Sequence, residues 1–271
     1  MDIILYIAIF SIGIVFGSFF TLAVYRIPRK EDITHVRSHC TSCNHRLEFW
    51  DLIPLFSYIF LGGKCRYCGE KIRPRYFLLE IFSGLVFLGL AFSRGLSIEM
   101  PLVGFIDLAL TYLFVAGTFI IAGIDKENFE IPNGLILYEL IVGIIYTIFL
   151  YATGEKILSN IIGFVAIPLI LFIVDYILKK LLKDESKLPF GMGDIKYMAV
   201  IGLFVGFGAE ILTIVIALLI TGIVLAIQCG IRKIHMEQIP FGFYLSIAAN
   251  IVLIAMPLIK NIIDCIEMII L

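Results

Sequence analysis

Two aspartates and four cysteines are the residues of this chain whose types and spacing could do chemistry. Asp125 stands in AGIDKENFEIPN and Asp194 in LPFGMGDIKYMAV, each at the edge of a run that otherwise reads as buried helix. Glycine precedes each acid, Gly123 in one case and Gly191 with Gly193 in the other, which permits a turn or a close backbone approach that a β-carbon obstructs. Pro132 follows the first acid and Pro189 precedes the second, as at helix ends where backbone groups are locally free. Two carboxylates brought within a few ångströms cannot both ionise easily, so they share a proton and titrate as a pair. In aspartic proteolysis the ionised member takes a proton from water and the protonated one polarises a carbonyl. At a water-filled cavity the same pair loads and releases a proton or cation. Spacing alone leaves peptidase, transporter and catalytically silent structural subunit all open.

The cysteines form two CxxC knuckles, Cys40 with Cys43 and Cys65 with Cys68, separated by 21 residues. Each knuckle presents two sulfurs to one point, so four thiolates can close tetrahedrally on a zinc ion. Four sulfurs leave no open coordination position, which makes the metal structural: it folds a loop too small to own a hydrophobic core. Disulfides are the alternative, disfavoured in a reducing compartment. Arg46, Lys64, Arg66, Lys71 and Arg73 lie close enough in sequence to offset the charge of the thiolates. His35, His39 and His45 flank the first knuckle and read as solvated loop residues, whereas Cys229 and Cys265, alone in apolar surroundings, read as packing residues.

What must position these groups is a bundle of membrane helices. Of the 271 residues, 61% are apolar, and the mean hydropathy is +1.03, more than a water-soluble domain carries. Eight runs approach the ~20 apolar residues a spanning helix needs: about 3–25, 77–93, 102–124, 133–151, 157–178, 195–209, 211–230 and 241–260, the sixth being short. The fold class is therefore an all-α polytopic membrane protein of about eight transmembrane helices with a small zinc-binding cytoplasmic loop domain. The first run has an acidic start at Asp2 and no basic leader, so it reads as a retained span. Basic residues crowd the segment from Arg26 to Arg75 and recur at Lys179, Lys180, Lys183 and Lys187 and at Arg232 and Lys233, which places those loops in the cytoplasm and both termini outside. Net charge is only −1 and gives no reason to expect a nucleic-acid partner.

Intramembrane acids cost a few kcal/mol each and need a partner, water or a function. Glu80 and Asp175 read as acids that pair across helices or reach the interface, and Asp107 and Glu139 as protonated groups hydrogen-bonded in the bundle. Asp125 and Asp194 differ, because the topology puts both at the cytoplasmic boundary.

Read together, GSFFTLAVYRIP (17–28), the two-knuckle stretch running from RSHC to PRYFLLE (37–80), IDKENFEIPN (124–133), GMGDIK (191–196) and IPFGFYLSIAA (239–249) resemble the prepilin peptidase, or type IV leader peptidase, family. The resemblance implies that Asp125 and Asp194 are the catalytic aspartates, with Gly191 and Gly193 shaping the backbone beside them. It also implies prepilin or pseudopilin precursors as substrates, cut at the inner face of the cytoplasmic membrane. Many bacterial members methylate the new amino terminus with S-adenosylmethionine, an activity tied to the amino-terminal half. Residues 1–100 would be that part, and 101–271 a six-span aspartic peptidase part. Arg26, Asp51, Glu80 and the loop arginines match the family region and are candidates for a methyl-donor site, with structural ion pairing as the other explanation.

Asn133 stands where many relatives have aspartate, so a role for a third acid there is in doubt. The GxGD element also resembles presenilin-like intramembrane proteases, but Ile124 occupies the place of the tyrosine that typically precedes their first aspartate. Glu127, Glu130, Asp184 and Glu185 are candidates for attracting a basic leader electrostatically.

Overall fold

A computed structural model describes residues 2–182, 191–231 and 238–270. Nine α-helices occur among them, with no strand beyond two isolated bridges in the cysteine loop. The chain divides into two compact units, one up to Pro101 and one from Leu102 onward.

In the first unit, α1 (Asp2–Arg26) packs along α3 (Pro74–Ser93). Small residues set that contact, since a β-carbon at Gly13 would lie 2.8 Å from Gly84 Cα and one at Gly17 would lie 2.7 Å from Glu80 Cα. Ser83 Oγ donates to the Gly13 carbonyl at 2.7 Å across the crossing. The connecting loop holds a 3₁₀ turn (Phe49–Asp51) and the short α2 (Phe56–Phe60). Arg26, buried at the end of α1, donates to the carbonyls of Asp32 and Val36, both at 2.8 Å, and so pins the start of the loop.

The second unit contains α4 (Leu102–Asn128), α5 (Asn133–Ala152), α6 (Leu158–Leu182), α7 (Met192–Val205), α8 (Phe207–Ala226) and α9 (Phe241–Ile270). Helix α7 packs against α5, α6, α8 and α9. Its Tyr197, Met198, Ile201 and Phe204 are almost wholly buried, and Phe204 stacks between Phe114 of α4 and Tyr146 of α5, each at 4.1 Å. Among the described residues, seven helices are long and apolar enough to cross a membrane. The sixth predicted span, already short in sequence, is α7, whose 14 residues reach only ~21 Å against a core of ~30 Å. The sequence places spans at 195–209 and 211–230, whereas the chain turns at Gly206, held at φ +84°, and α8 begins at Phe207. A hydropathy pattern does not register a one-residue break between two apolar runs. Lys183, Lys187, Arg232 and Lys233, and the side chain of Lys179, lie outside the described residues.

Candidate active site and metal centre

Asp125 is buried near the end of α4 and faces the start of α9, a helix more than a hundred residues later in the chain. Its Oδ2 accepts the Phe243 N–H at 2.9 Å, and the Gly242 amide also donates to the carboxylate. The first turn of a helix has free N–H groups and the positive end of the helix dipole, so it favours a carboxylate there. Gly242 makes the approach possible. A β-carbon at that position would stand 3.1 Å from Asp125 Oδ2 and 2.7 Å from Ile131 Cδ1.

Asp194 lies in the first turn of α7, where its Oδ2 accepts the Gly191 N–H at 3.2 Å. Ile131 is the spacer between the two aspartate-bearing regions. It touches Gly242 on one side, and a β-carbon on Gly193 would come within 3.4 Å of its Cβ on the other. The Asp125 charge acts on Asp194, so the two acids lie within electrostatic reach of each other. Gly191 and Gly193 thus flank the turn that carries Asp194. Asn133, in the first turn of α5, accepts from Lys196 Nζ at 3.0 Å, and Lys126 Nζ lies 4.4 Å from the centre of the Phe243 ring.

Beneath the aspartates a polar ladder enters the bundle. Tyr197 and Ser246 share a hydrogen bond of 2.8 Å, Ser246 Oγ also lies 2.8 Å from the Gly242 carbonyl, and Asn250 donates to Thr118 Oγ1 at 2.9 Å. Glu139 is fully buried beside Tyr197 and acts on it electrostatically. Neither of its carboxyl oxygens has a hydrogen-bond partner among the described residues, which departs from the expected bonding within the bundle. Asp107 does accept from Tyr146 at 2.9 Å, and Glu80 takes the Leu55 N–H at 2.8 Å. Glu127 and Glu130 are exposed just beyond Asp125, whereas Asp184 and Glu185 lie outside the described residues.

The four cysteine sulfurs lie within 4.8 Å of one another, with Cys40 Sγ and Cys68 Sγ 3.9 Å apart. Tetrahedral Zn–S bonds of ~2.3 Å require sulfur separations of about 3.8 Å, so the donor set fits zinc. The knuckles share one backbone path. Cys40 N–H donates to the His45 carbonyl and Asn44 N–H to that of Cys40, just as Cys65 N–H donates to Glu70 and Gly69 N–H to Cys65. Asn44 and Gly69 fill the same left-handed position, at φ 55° and 72°.

Burial acts to raise the Cys40 thiol, but amide hydrogen bonds from Cys43 and Ser42 overcome it and bring it down to about 7. The Glu70 amide lowers the Cys68 thiol, yet burial and the three neighbouring thiols push it up to about 12. Four thiols this close ionise together only around a cation. None of the three loop histidines joins the cluster: His35 pairs with Asp32 at 2.8 Å, and His45 stacks on Tyr67 at 3.6 Å. Cys229 and Cys265, expected to be packing residues, are exposed on helix surfaces.

The bacterial peptidase A24 N-terminal domain matches residues 11–94, and the type IV leader peptidase family matches residues 112–227. A prepilin leader peptidase/N-methyltransferase of Klebsiella pneumoniae is 31% identical over 217 residues, which cover 77% of this chain and 89% of the relative. The chain belongs to the type IV leader peptidase family. Two other family members carry the same name: one from Vibrio cholerae, 32% identical over 74% of this chain and 78% of its own, and one from Pseudomonas putida, 27% identical over 88% and 86%. No solved structure matches this leader peptidase chain.

The residues put forward for a methyl donor are already engaged within the first unit. Arg26 holds loop carbonyls and Glu80 holds the Leu55 amide. Asp51 accepts from Arg66 Nε at 2.6 Å, Tyr67 Oη at 3.0 Å and the Glu48 amide at 3.2 Å. As they stand, these three side chains hold the loop's own structure rather than facing an open methyl-donor site.

The α9 cradle for Asp125 and the spacer Ile131 were not singled out from sequence. Their signals were present in IPFGF, a proline followed by a helix-opening glycine, and in the apolar residue just before Pro132.

Proposed function

We propose that this leader peptidase cuts the basic leader from type IV prepilin-like precursors with Asp125 and Asp194 as its catalytic pair, and then methylates the new amino terminus from S-adenosylmethionine. The observation that carries this reading is the seat of Asp125 on the Gly242 and Phe243 amides, with Asp194 in electrostatic reach.

The two acids have unequal surroundings. Two α9 amides donate to Asp125, whereas Asp194 receives one longer hydrogen bond from Gly191. Donors stabilise the charged form, so Asp125 is the ionised member and Asp194 holds the shared proton. Asp125 takes a proton from water as the water oxygen bonds to the scissile carbonyl carbon, and Asp194 gives its proton to the carbonyl oxygen. In the gem-diol that results, Asp194 takes back a hydroxyl proton, the C–N bond breaks, and Asp125 passes its proton to the leaving amine. Both acids return to their starting states, and no covalent enzyme intermediate forms.

The cysteine cluster would hold a structural zinc ion. With its coordination filled by sulfur, the metal orders the loop and has no open position for catalysis. The first unit is the methyltransferase part and the second the peptidase part. Both termini lie outside, and the aspartates face the cytoplasm, where the basic leader waits while the hydrophobic segment after it stays in the bilayer.

The test is incubation of purified protein with a pilin-like precursor, with and without S-adenosylmethionine, followed by mass measurement of the product's amino terminus. Loss of the leader, plus a methyl group only when the donor is present, supports the assignment. An uncut precursor with pH-dependent ion flux in proteoliposomes supports a transporter instead, and neither activity a structural subunit of a secretion assembly.

A further inference from the structure

The cysteine loop exposes apolar side chains that the peptidase and zinc readings do not use. Phe49, Trp50, Leu52, Phe56, Ile59 and Phe60 all lie on the 3₁₀ turn, its end and α2, two elements that pack on each other. Phe60 is 82% exposed, Phe49 73% and Trp50 66%. The rings gather rather than scatter: Phe49 meets Trp50 edge-on at 5.6 Å, and Phe56 stacks with Phe60 at 6.4 Å. A cluster of this kind in a loop marks a surface that something covers.

The contacts of α2 fix its depth. Leu55, just before α2, donates its N–H to Glu80, and Tyr58 stacks on Phe77 at 5.0 Å. Both partners belong to the span α3, which opens at Pro74. Glu80 lies six residues into that helix, or ~9 Å along its axis. A span of 20 residues is only about as long as the hydrocarbon core is thick, so its first two turns lie at the lipid boundary. Helix α2 is bonded sideways to those turns, and its outward face therefore meets lipid rather than bulk water. Lys64, Lys71 and Arg73, exposed in the adjoining chain, suit anionic headgroups at that level.

We propose that the segment from Phe49 to Phe60 is an interfacial wedge that inserts its aromatic face into the acyl-headgroup boundary of an anionic bilayer. It would moor the zinc loop to the membrane surface, which explains why the loop bears bulky apolar groups on its outside. Tryptophan at such a boundary has its ring in the apolar zone and its N–H toward water.

Trp50 is the only tryptophan in the chain, so the unaltered protein carries its own reporter. The full chain is reconstituted into vesicles of phosphatidylethanolamine and phosphatidylglycerol. Its emission is then quenched either by lipid brominated near the top or near the end of the acyl chain, or by iodide present on both sides. The wedge requires that upper-chain bromine lower Trp50 emission about twofold or more, the deeper bromine less, and iodide little. Replacing Phe56→Ser together with Phe60→Ser should red-shift the emission and raise iodide quenching while the zinc content stays unchanged. Strong iodide quenching without bromine quenching in the unaltered protein overturns the proposal, because the patch then faces water. Quenching by neither also overturns it, because protein, such as a bound precursor helix, then covers the patch.

Discussion

Asp125 accepts the Phe243 N–H at 2.9 Å, so a carboxylate at the end of one helix is held by the opening turn of another 118 positions later. This contact orients the Asp125 carboxylate before substrate arrives. It depends on Gly242, the residue that lets α4 and α9 close on each other.

Gly242→Ala should push Asp125 off that seat, since the added methyl stands 3.1 Å from its Oδ2. A displacement near 1 Å at a catalytic group costs about a hundredfold in rate. Precursor cleavage should fall by about that factor in kcat with KM little changed, as measured by initial rates in detergent.

Glu139 and Gly117 form a matched pair, because a β-carbon at Gly117 would overlap Glu139 Oε1. Gly117→Ala is expected to destabilise the second unit by about 1–3 kcal/mol through overpacking. Adding Glu139→Ala should recover much of that loss, so the two effects should not add. Thermal unfolding of the four proteins in detergent checks this.

Asp51 ties the second knuckle to the 3₁₀ turn. Burial acts to raise its carboxyl, but Arg66, the Glu48 amide and the Tyr67 hydroxyl together bring it below the ordinary carboxylate value. A group depressed on folding stabilises above its unfolded pKa, about 3.9 for aspartate, and loses that contribution as pH falls through the lower folded value. Asp51→Asn should therefore loosen the loop at neutral pH and converge with the parent protein in strong acid. Pepsin nicking of the loop, followed from about pH 5 to about pH 2, should separate the two proteins at the upper end and bring them together at the lower.

A pair sharing one proton is active only while singly protonated. Cleavage should therefore show a bell-shaped pH profile, lost in acid when both aspartates are protonated and in base when both are charged. A profile flat across that range would argue against acid and base roles for the pair. Initial rates of kcat/KM in mixed buffers read it directly.

The cysteine cluster was legible because its chemistry is local. Each CxxC turn fixes two sulfurs by itself, and only the meeting of two knuckles needed the fold. That Asp125 and Asp194 each stand near a helix end was legible from their flanking glycines and prolines. What holds Asp125 was not, because the Gly242 and Phe243 amides come from a helix start whose pairing with α4 is set by packing far away in the chain. Glu139 was expected to be bonded, since sequence shows a buried acid but not the glycine notch at Gly117 that lodges it. The sixth run was already short in sequence, but its stop at Gly206 was hidden, because hydropathy reports apolar character and is silent about one glycine at positive φ.

Whether Asp125 and Asp194 act as one catalytic pair is decided by turnover of a pilin-like precursor with Asp125→Asn and Asp194→Asn, each purified with its insertion and zinc content verified. Both variants should lose cleavage by a thousandfold or more, about the scale expected when an essential acid or base is removed. Turnover near the parent rate in either variant would contradict the pair.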